Sequence, residues 1–591
     1  MNNFFKVFFA SLLALIVFSF ISFFVMIIMM AAFSSMATNS DKKISANSVL
    51  MLDLNNPIAE QSKEDFNFGT NFSTTKTSGL YDVVRMIAHA KTDDRIKGIY
   101  IKAENNANGF ATSRELREAI SDFKSSKKFV IAYAPTITQK AYYIASAADK
   151  IYTHPEGGLD WRGLSTQVMF FKGTLDKLEV EPQIFFAGKY KSATEPFRVT
   201  KMTEPNRVQT AAWLNDLYDV MLQDIAKTTK IDTATLRSLA DNFSIQTAED
   251  ALKHKMVHGL KYNDEIQTEL RRLLGKKETD DLSLVSVEKY SKDKSYKKAP
   301  ANADKKIALV YAEGQIMQTG DTKSMITSEE YIKQLRKVRL DDKIDAVVFR
   351  VNSPGGSALA SDEIWREIEL IKKKKPVVVS MGDVAASGGY YISCGANRIF
   401  ADPNTITGSI GVFAMTGNAE NFFKNKLGIT FDTVKTSRYA DFGNFTRAMN
   451  DTEKRYFQSF VDTIYHTFKS RVAQGRSKSI DMVDSLAQGR VWSGLDAKSI
   501  GLVDEVGSLK DAINYTAGLL KTSKYELKEY PKEKSFLSQF ASMFEDNDDL
   551  QTRWISKTFG AENAAIFKNI YSFRQMMHSP QALMPYTFDI R

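Results

Sequence analysis

The stretch Met381–Tyr391, "MGDVAASGGYY", holds one serine, Ser387, walled in by Ala385, Ala386, Gly388 and Gly389. Side chains this small let another molecule approach the backbone closely. A second stretch of the same character, "NSPGGS", begins at Asn352 and carries the Gly355-Gly356 pair. Gly388, directly after the serine, and one of Gly355 or Gly356 offer two N–H donors to a developing oxyanion. The chemistry these residues suit is acyl transfer to a serine. That chemistry needs a base, and the nearest histidines in sequence, His258 and His466, are far from Ser387.

The chain is written twice. "DDRIKGIYIKAENN" from Asp93 aligns without a gap on "DDKIDAVVFRVNSP" from Asp341, an offset of 248, and the same offset carries "YYIASAADKIYTHP" from Tyr142 onto "YYISCGANRIFADP" from Tyr390. With small shifts, "GKY" at Gly188 falls on "SRY" at Ser437 and "EDALKHKMV" at Glu249 on "LDAKSIGLV" at Leu495. The expected organisation is an N-terminal segment 1–40, a first repeat 45–285, a Lys-rich linker 286–306, a second repeat 307–522 and a tail 523–591. The tail carries helix-like segments such as "SFLSQFASMF" and no recognisable site.

The differences between the copies locate the chemistry. Ser387 corresponds to Gln139, and Gly355-Gly356 to Ala107 and Asn108, so the first copy lacks both the serine and the glycine turn. Conversely, Lys191 of "GKYKSATEP" aligns with Ala440 of "SRYADFGN". One copy keeps a serine and glycines, and the other keeps a lysine. A lysine serves as a base only when desolvated, because an unperturbed ammonium is neutral in about one molecule in two thousand at pH 7. The apolar run "PQIFFAG" leads directly to Lys191.

These residues need a scaffold, and the local patterns give an α/β one. "IALVY" at Ile307, "AVVFRV" at Ala346 and "PVVVS" at Pro376 are short and rich in β-branched residues, which marks strands. Between them, "SDEIWREIELIKKKK" puts Ile364, Ile368 and Ile371 on one helical face, with Ser361 as N-cap and lysines at the C-terminal end. Strand, loop, helix, strand repeated in this way implies a largely parallel sheet. Ser387 falls at a strand-to-helix junction, with "GGYYISCGAN" opening the helix.

Composition narrows the setting. The 591 residues carry a formal charge of +9 without a basic stripe interleaved with aromatics, which argues against a nucleic-acid partner. One cysteine, Cys394, excludes an intramolecular disulfide and a cysteine-based metal cluster. His254 and His258 have helical spacing, yet "HKMVH" lacks the glutamate of the zinc-protease pattern, so no metal or other cofactor is expected. Val7–Phe33 supplies 27 largely apolar positions, roughly 40 Å as a helix and enough to span a bilayer. That length favours a retained anchor over a cleaved signal peptide, whose alternative cut lies among the small residues near Ala32–Ala37. Lys6 before the run leans the N-terminus to the cytoplasm and the bulk outside.

Two copies behind an N-terminal anchor, with "NSPGGS", "AASGGYY" and "TGSIGV" in the second and "GKYKSATEP" in the first, resemble the long, duplicated form of the signal peptide peptidase A (protease IV) family. The resemblance implies a tandem of ClpP/crotonase-like domains and a Ser/Lys-dyad peptidase whose serine and lysine meet between the repeats. It implies Ser387 as nucleophile, Lys191 as general base and Ser409 orienting the lysine, with the glycine beside Gly388 left open between Gly355 and Gly356. It further implies a homotetramer on the periplasmic side of the bacterial inner membrane, acting on cleaved signal peptides and other apolar peptides. A crotonase-like acyl-CoA enzyme and an inactive membrane scaffold are the rival readings.

Overall fold

The structure is a computed structural model that describes residues 2–38, 44–67, 73–320, 324–532 and 580–584. The helix-like part of the tail, "SFLSQFASMF", lies outside the described residues. Asn2–Thr38 forms one helix, and Phe4–Val25 within it, with mean hydropathy 2.6, is long and apolar enough to cross a membrane.

Each repeat builds its own sheet. In the first, six strands run in the order Gly259–Leu260, Lys150–Leu159, Phe129–Ile137, Ile96–Lys102, Ser48–Asp53, Leu284–Ser286, all parallel. In the second, the path runs Val491–Ser493, Ile406–Gly408, Val377–Ala386, Ala346–Ser353, Lys305–Glu313, Tyr525–Tyr530, with Arg398–Ala401 and Glu505–Val506 branching from it. The offset of 248 persists in the structure, since strands begin at Phe129 and Val377 and again at Lys150 and Arg398. Even a buried hydrogen bond is duplicated: Tyr142 donates to Met256 O and its counterpart Tyr390 to Leu502 O, both at 2.8 Å.

Three boundaries differ from the sequence reading. The helix expected from Ser361 spans Ala358–Lys372. Its cap is Ser357, whose hydroxyl accepts Ala360 N–H, while Ser361 turns back to donate to Ser357 O. Within the stretch 286–306, the part through Asp293 is docked on the first repeat, because Tyr290 is buried and donates to Asp93 at 2.9 Å while Arg95 pairs with Asp293, and Lys305 and Lys306 already open a strand of the second sheet. The tail supplies two strands, Tyr525–Tyr530 at the edge of the second sheet and Gln581–Leu583 elsewhere. The last two departures carry no motif signal, since docking depends on partners distant in sequence.

A third sheet joins the repeats. Its order is Met325–Thr327, Gln315–Met317, Gly355–Ser357, Gln581–Leu583, Val412–Asn418, Glu181–Ala187. The last pair is an antiparallel ladder between the copies, running from Val412 opposite Ala187 to Asn418 opposite Glu181. Buried charge reinforces the union. Arg350 of the second repeat, fully buried, reaches Glu60 and Glu115 of the first at 2.8 Å each and also donates to Ser380 Oγ and Met381 O. Asp383 accepts from Thr112 N and Oγ1, and Arg114 reaches Asp402 at 3.1 Å.

Breaking a buried cluster on one side costs more than removing it whole. Arg350→Met is expected to lower stability to urea by about 3–5 kcal/mol. Adding Glu60→Gln and Glu115→Gln to that variant should recover most of the loss. A single-variant loss below about 1 kcal/mol would show that apolar contact alone docks the repeats.

Candidate active site

Ser387 ends the strand Val377–Ala386 and precedes the short helix Gly388–Ser393. It takes φ 55° and ψ −111°, a backbone conformation disfavoured for a residue with a Cβ. Its N–H donates to Gly408 O at 2.8 Å, which pins the bend to the neighbouring strand. Small neighbours are required here. A Cβ on Gly388 would lie 2.7 Å from Ser361 Oγ, and one on Gly389 2.5 Å from Ser353 O.

Lys191 reaches this bend from the other repeat. The ladder ends at Ala187 opposite Val412, so the chain leaving Ala187 and the chain entering Val412 lie side by side. Four residues after Ala187 comes Lys191, and three before Val412 comes Ser409. Lys191 Nζ sits 2.8 Å from Ser387 Oγ, 3.1 Å from Ser409 Oγ and 3.2 Å from Ser409 O. Both serines are fully buried and Lys191 is 1 % exposed. Burial alone pushes the Lys191 amine well below the usual lysine range. Nζ donates to both serine hydroxyls and to the Ser409 carbonyl oxygen.

The lysine is held by groups the sequence reading did not single out. Gln209, on the helix Glu204–Thr229, donates to Tyr190 O and Ser192 Oγ on either side of Lys191 and accepts Val491 N–H. A Cβ on Gly489 would stand 2.7 Å from Lys191 Cβ, and one on Gly411 3.1 Å from Lys191 Cδ. Gln209 sits on a helix with no special spacing, and nothing in "AQGRVWSG" marks Gly489. Contact with Lys191 is visible only in three dimensions.

The corresponding place in the first repeat is filled. Gln139 stands where Ser387 does and spends its side chain on the loop backbone, accepting Arg162 N–H and Gly163 N–H and donating to Gly163 O. Asn108, at the position of Gly356, accepts Ile58 N–H. His258, the outer member of the histidine pair, accepts Ile151 N–H through Nδ1.

Comparison with known proteins gives the family. The sequence profile of Peptidase family S49 matches residues 122–277 and 369–523, once in each repeat. Protease 4 of Salmonella typhi is 33% identical over 532 residues, covering 87% of this chain and 85% of that relative. The chain belongs to peptidase family S49. Protease 4 of Haemophilus influenzae is 34% identical, covering 84% of this chain and 82% of the relative. The chloroplastic serine protease SPPA of Arabidopsis thaliana is 33% identical, covering 80% and 69%. A Clp protease profile also matches residues 298–407. The S49 peptidase is thus a serine peptidase built from two α/β domains of the ClpP/crotonase type in tandem.

A depressed lysine leaves a mark on stability. The unfolded chain takes up a proton at any pH between the folded value of Lys191 and the ordinary 10.5, so stability rises with pH across that window. Lys191→Met removes this dependence. In thermal melts across that range, the variant of this S49 peptidase is expected to melt above the parent at neutral pH. The gap should narrow as pH approaches the ordinary lysine value. A gap that stays constant with pH would mean that Lys191 is not held neutral.

Proposed function

We propose that this S49 peptidase is a membrane-anchored endopeptidase that uses a Ser387–Lys191 dyad to degrade remnant signal peptides. The observation that carries the reading is the buried contact between Lys191 Nζ and Ser387 Oγ, made across the two repeats. Lys191 takes the Ser387 proton as the alkoxide attacks a peptide carbonyl, and returns it to the leaving amine. Water, deprotonated by the same lysine, then releases the acyl group from Ser387. Ser409 holds the amine beside the nucleophile. Gly355 N–H already donates to Ser353 Oγ at 3.1 Å, so Gly356 and Gly388 supply the oxyanion donors.

Substrate and setting follow from apolar surface. Beside the site, Phe413, Met415 and Ala193 form a buried patch, extended by Ile184, Phe186 and Phe197, which suits an extended apolar peptide. The helix Asn2–Thr38 anchors the enzyme in the bacterial inner membrane, with the catalytic repeats on the periplasmic side. Leu427, Ile429, Phe431 and Val434 expose a run of apolar side chains on the second repeat, a surface that assembly into a homotetramer would cover.

On detergent-solubilised protein, a fluorophosphonate is expected to label Ser387 and to leave Ser387→Ala unlabelled. Lys191→Ala should lower kcat/KM for an apolar peptide ester by about 10²–10⁴-fold. A synthetic signal-peptide remnant in lipid vesicles should be cut by the parent and spared by Ser387→Ala. Undiminished labelling of Ser387→Ala would sink the dyad, and a spared remnant with intact ester hydrolysis would sink the substrate assignment.

A further inference from the structure

Gln209 is enclosed at the junction, 1 % exposed, and both polar atoms of its side chain are used. The amide nitrogen donates to Tyr190 O at 3.0 Å and to Ser192 Oγ at 3.1 Å, the residues on either side of Lys191. The amide oxygen accepts Val491 N–H at 3.0 Å, in the second repeat. Val491 stands opposite Gly408, whose carbonyl accepts Ser387 N–H, and the preceding Arg490 O accepts Ser409 N–H at 2.6 Å. One side chain therefore reaches from the two neighbours of the base to the strand pair to which both serines are bonded. Tyr190 N–H donates to Gln488 O at 2.8 Å, so Gln209 closes the second half of a clamp on this segment.

The amide is itself oriented. Turned over, its oxygen would face the Tyr190 carbonyl and its nitrogen the Val491 N–H. Asn206, one helical turn earlier, accepts from Gln209 at 3.4 Å and donates to the buried Glu195 carboxylate at 2.8 Å. Glu195 also accepts Thr203 N–H at 3.1 Å and lies 3.6 Å from Arg198, so its charge is spent away from Lys191. The other charged groups on the surrounding elements turn aside as well. Arg490 lies over the Trp492 and Tyr190 rings, Lys189 over the Tyr190 ring, and Asp216 accepts from Ser493 Oγ. Burial is left as the cause that depresses the Lys191 amine.

We propose that Gln209 is a positioning residue for the base: it fixes the Lys191 segment against the strand pair of the second repeat, keeping Nζ on Ser387 and sealed from water. The inference rests on the dyad reading above and adds to it a side chain that touches neither substrate nor reacting atoms. Without its bonds the segment shifts and water reaches the amine. A displacement of about 1 Å costs up to about 10²-fold in rate, and a hydrated lysine binds its proton more tightly.

Gln209→Met keeps the length and removes all these bonds. For an apolar peptide ester, kcat is expected to fall about 10–100-fold with KM within about twofold, and the acid limb of kcat/KM to move toward higher pH. Gln209→Glu keeps an oxygen for Val491 N–H but sets another against Tyr190 O and adds negative charge. It should be no faster than Gln209→Met, with its acid limb higher still. Ser192→Ala removes one bond only and should show the same changes at smaller size, which covers a Gln209 variant that fails to fold. The enclosure is also read without catalysis: the gain in melting temperature that Lys191→Met brings at neutral pH should shrink when Gln209→Met is present. Variants that lower the melting temperature but leave the acid limb and the Lys191→Met gain unchanged would overturn the proposal and make Gln209 a structural residue only. Failure of fluorophosphonate to label Ser387 in the parent would instead overturn the dyad reading, while the melting comparison still decides whether Gln209 controls the enclosure.

Discussion

A lysine acts as a base near neutral pH only if it is kept from water and from carboxylates, and this constraint governs the rest of the molecule. Lys191 is enclosed by backbone and small residues, with Gly489 and Gly411 packed against its stem and the two hydroxyls of Ser387 and Ser409 at its tip. Desolvation depresses its affinity for a proton without a partner charge to oppose it. The enclosure exists because a ladder between the repeats carries the lysine of one onto the serine of the other.

Duplication explains how such a site is assembled without doubling it. Both copies keep the sheet, the strand starts and the buried tyrosine hydrogen bond. In the first copy, Gln139 and Asn108 fill the equivalent place, the Gln139 side chain bonded to loop backbone and that of Asn108 to Ile58 N–H and Asn106 Oδ1. That copy contributes Lys191 to the place where the two repeats meet. Its cost appears at the junction, where Arg350, Glu60 and Glu115 are all buried, and burial raises the Glu60 carboxyl to about 7 despite the arginine. Charges placed there tie the relative position of the repeats to specific partners.

The serine side of the site stores local strain. Ser387 and Ser409 both have positive φ, as do Gly355, Gly356 and Gly408 around them. Such conformations persist only where surrounding structure over-determines them. Here the third sheet does so, with the glycine turn held between Gln315–Met317 and the tail strand. The tail strand is thereby part of what holds the glycine turn in shape.

Much of this was legible in the sequence. The repeat at an offset of 248, the parallel α/β pattern and the apolar N-terminal helix are local or periodic signals, set by side-chain alternation and composition. The complementary losses at Gln139 and Ala440 singled out Ser387 and Lys191 because aligned copies compare like with like. Ser409 came from the motif resemblance alone. Tertiary structure decided the rest. It set the lysine's 1 % exposure and placed Gln209 and Gly489 around it, and it docked the stretch from 286 through Asp293 and the strand at Gln581–Leu583. Each of these depends on contacts between residues far apart in the chain, whose energy no local pattern records; desolvation in particular belongs to the enclosure and not to any residue in it.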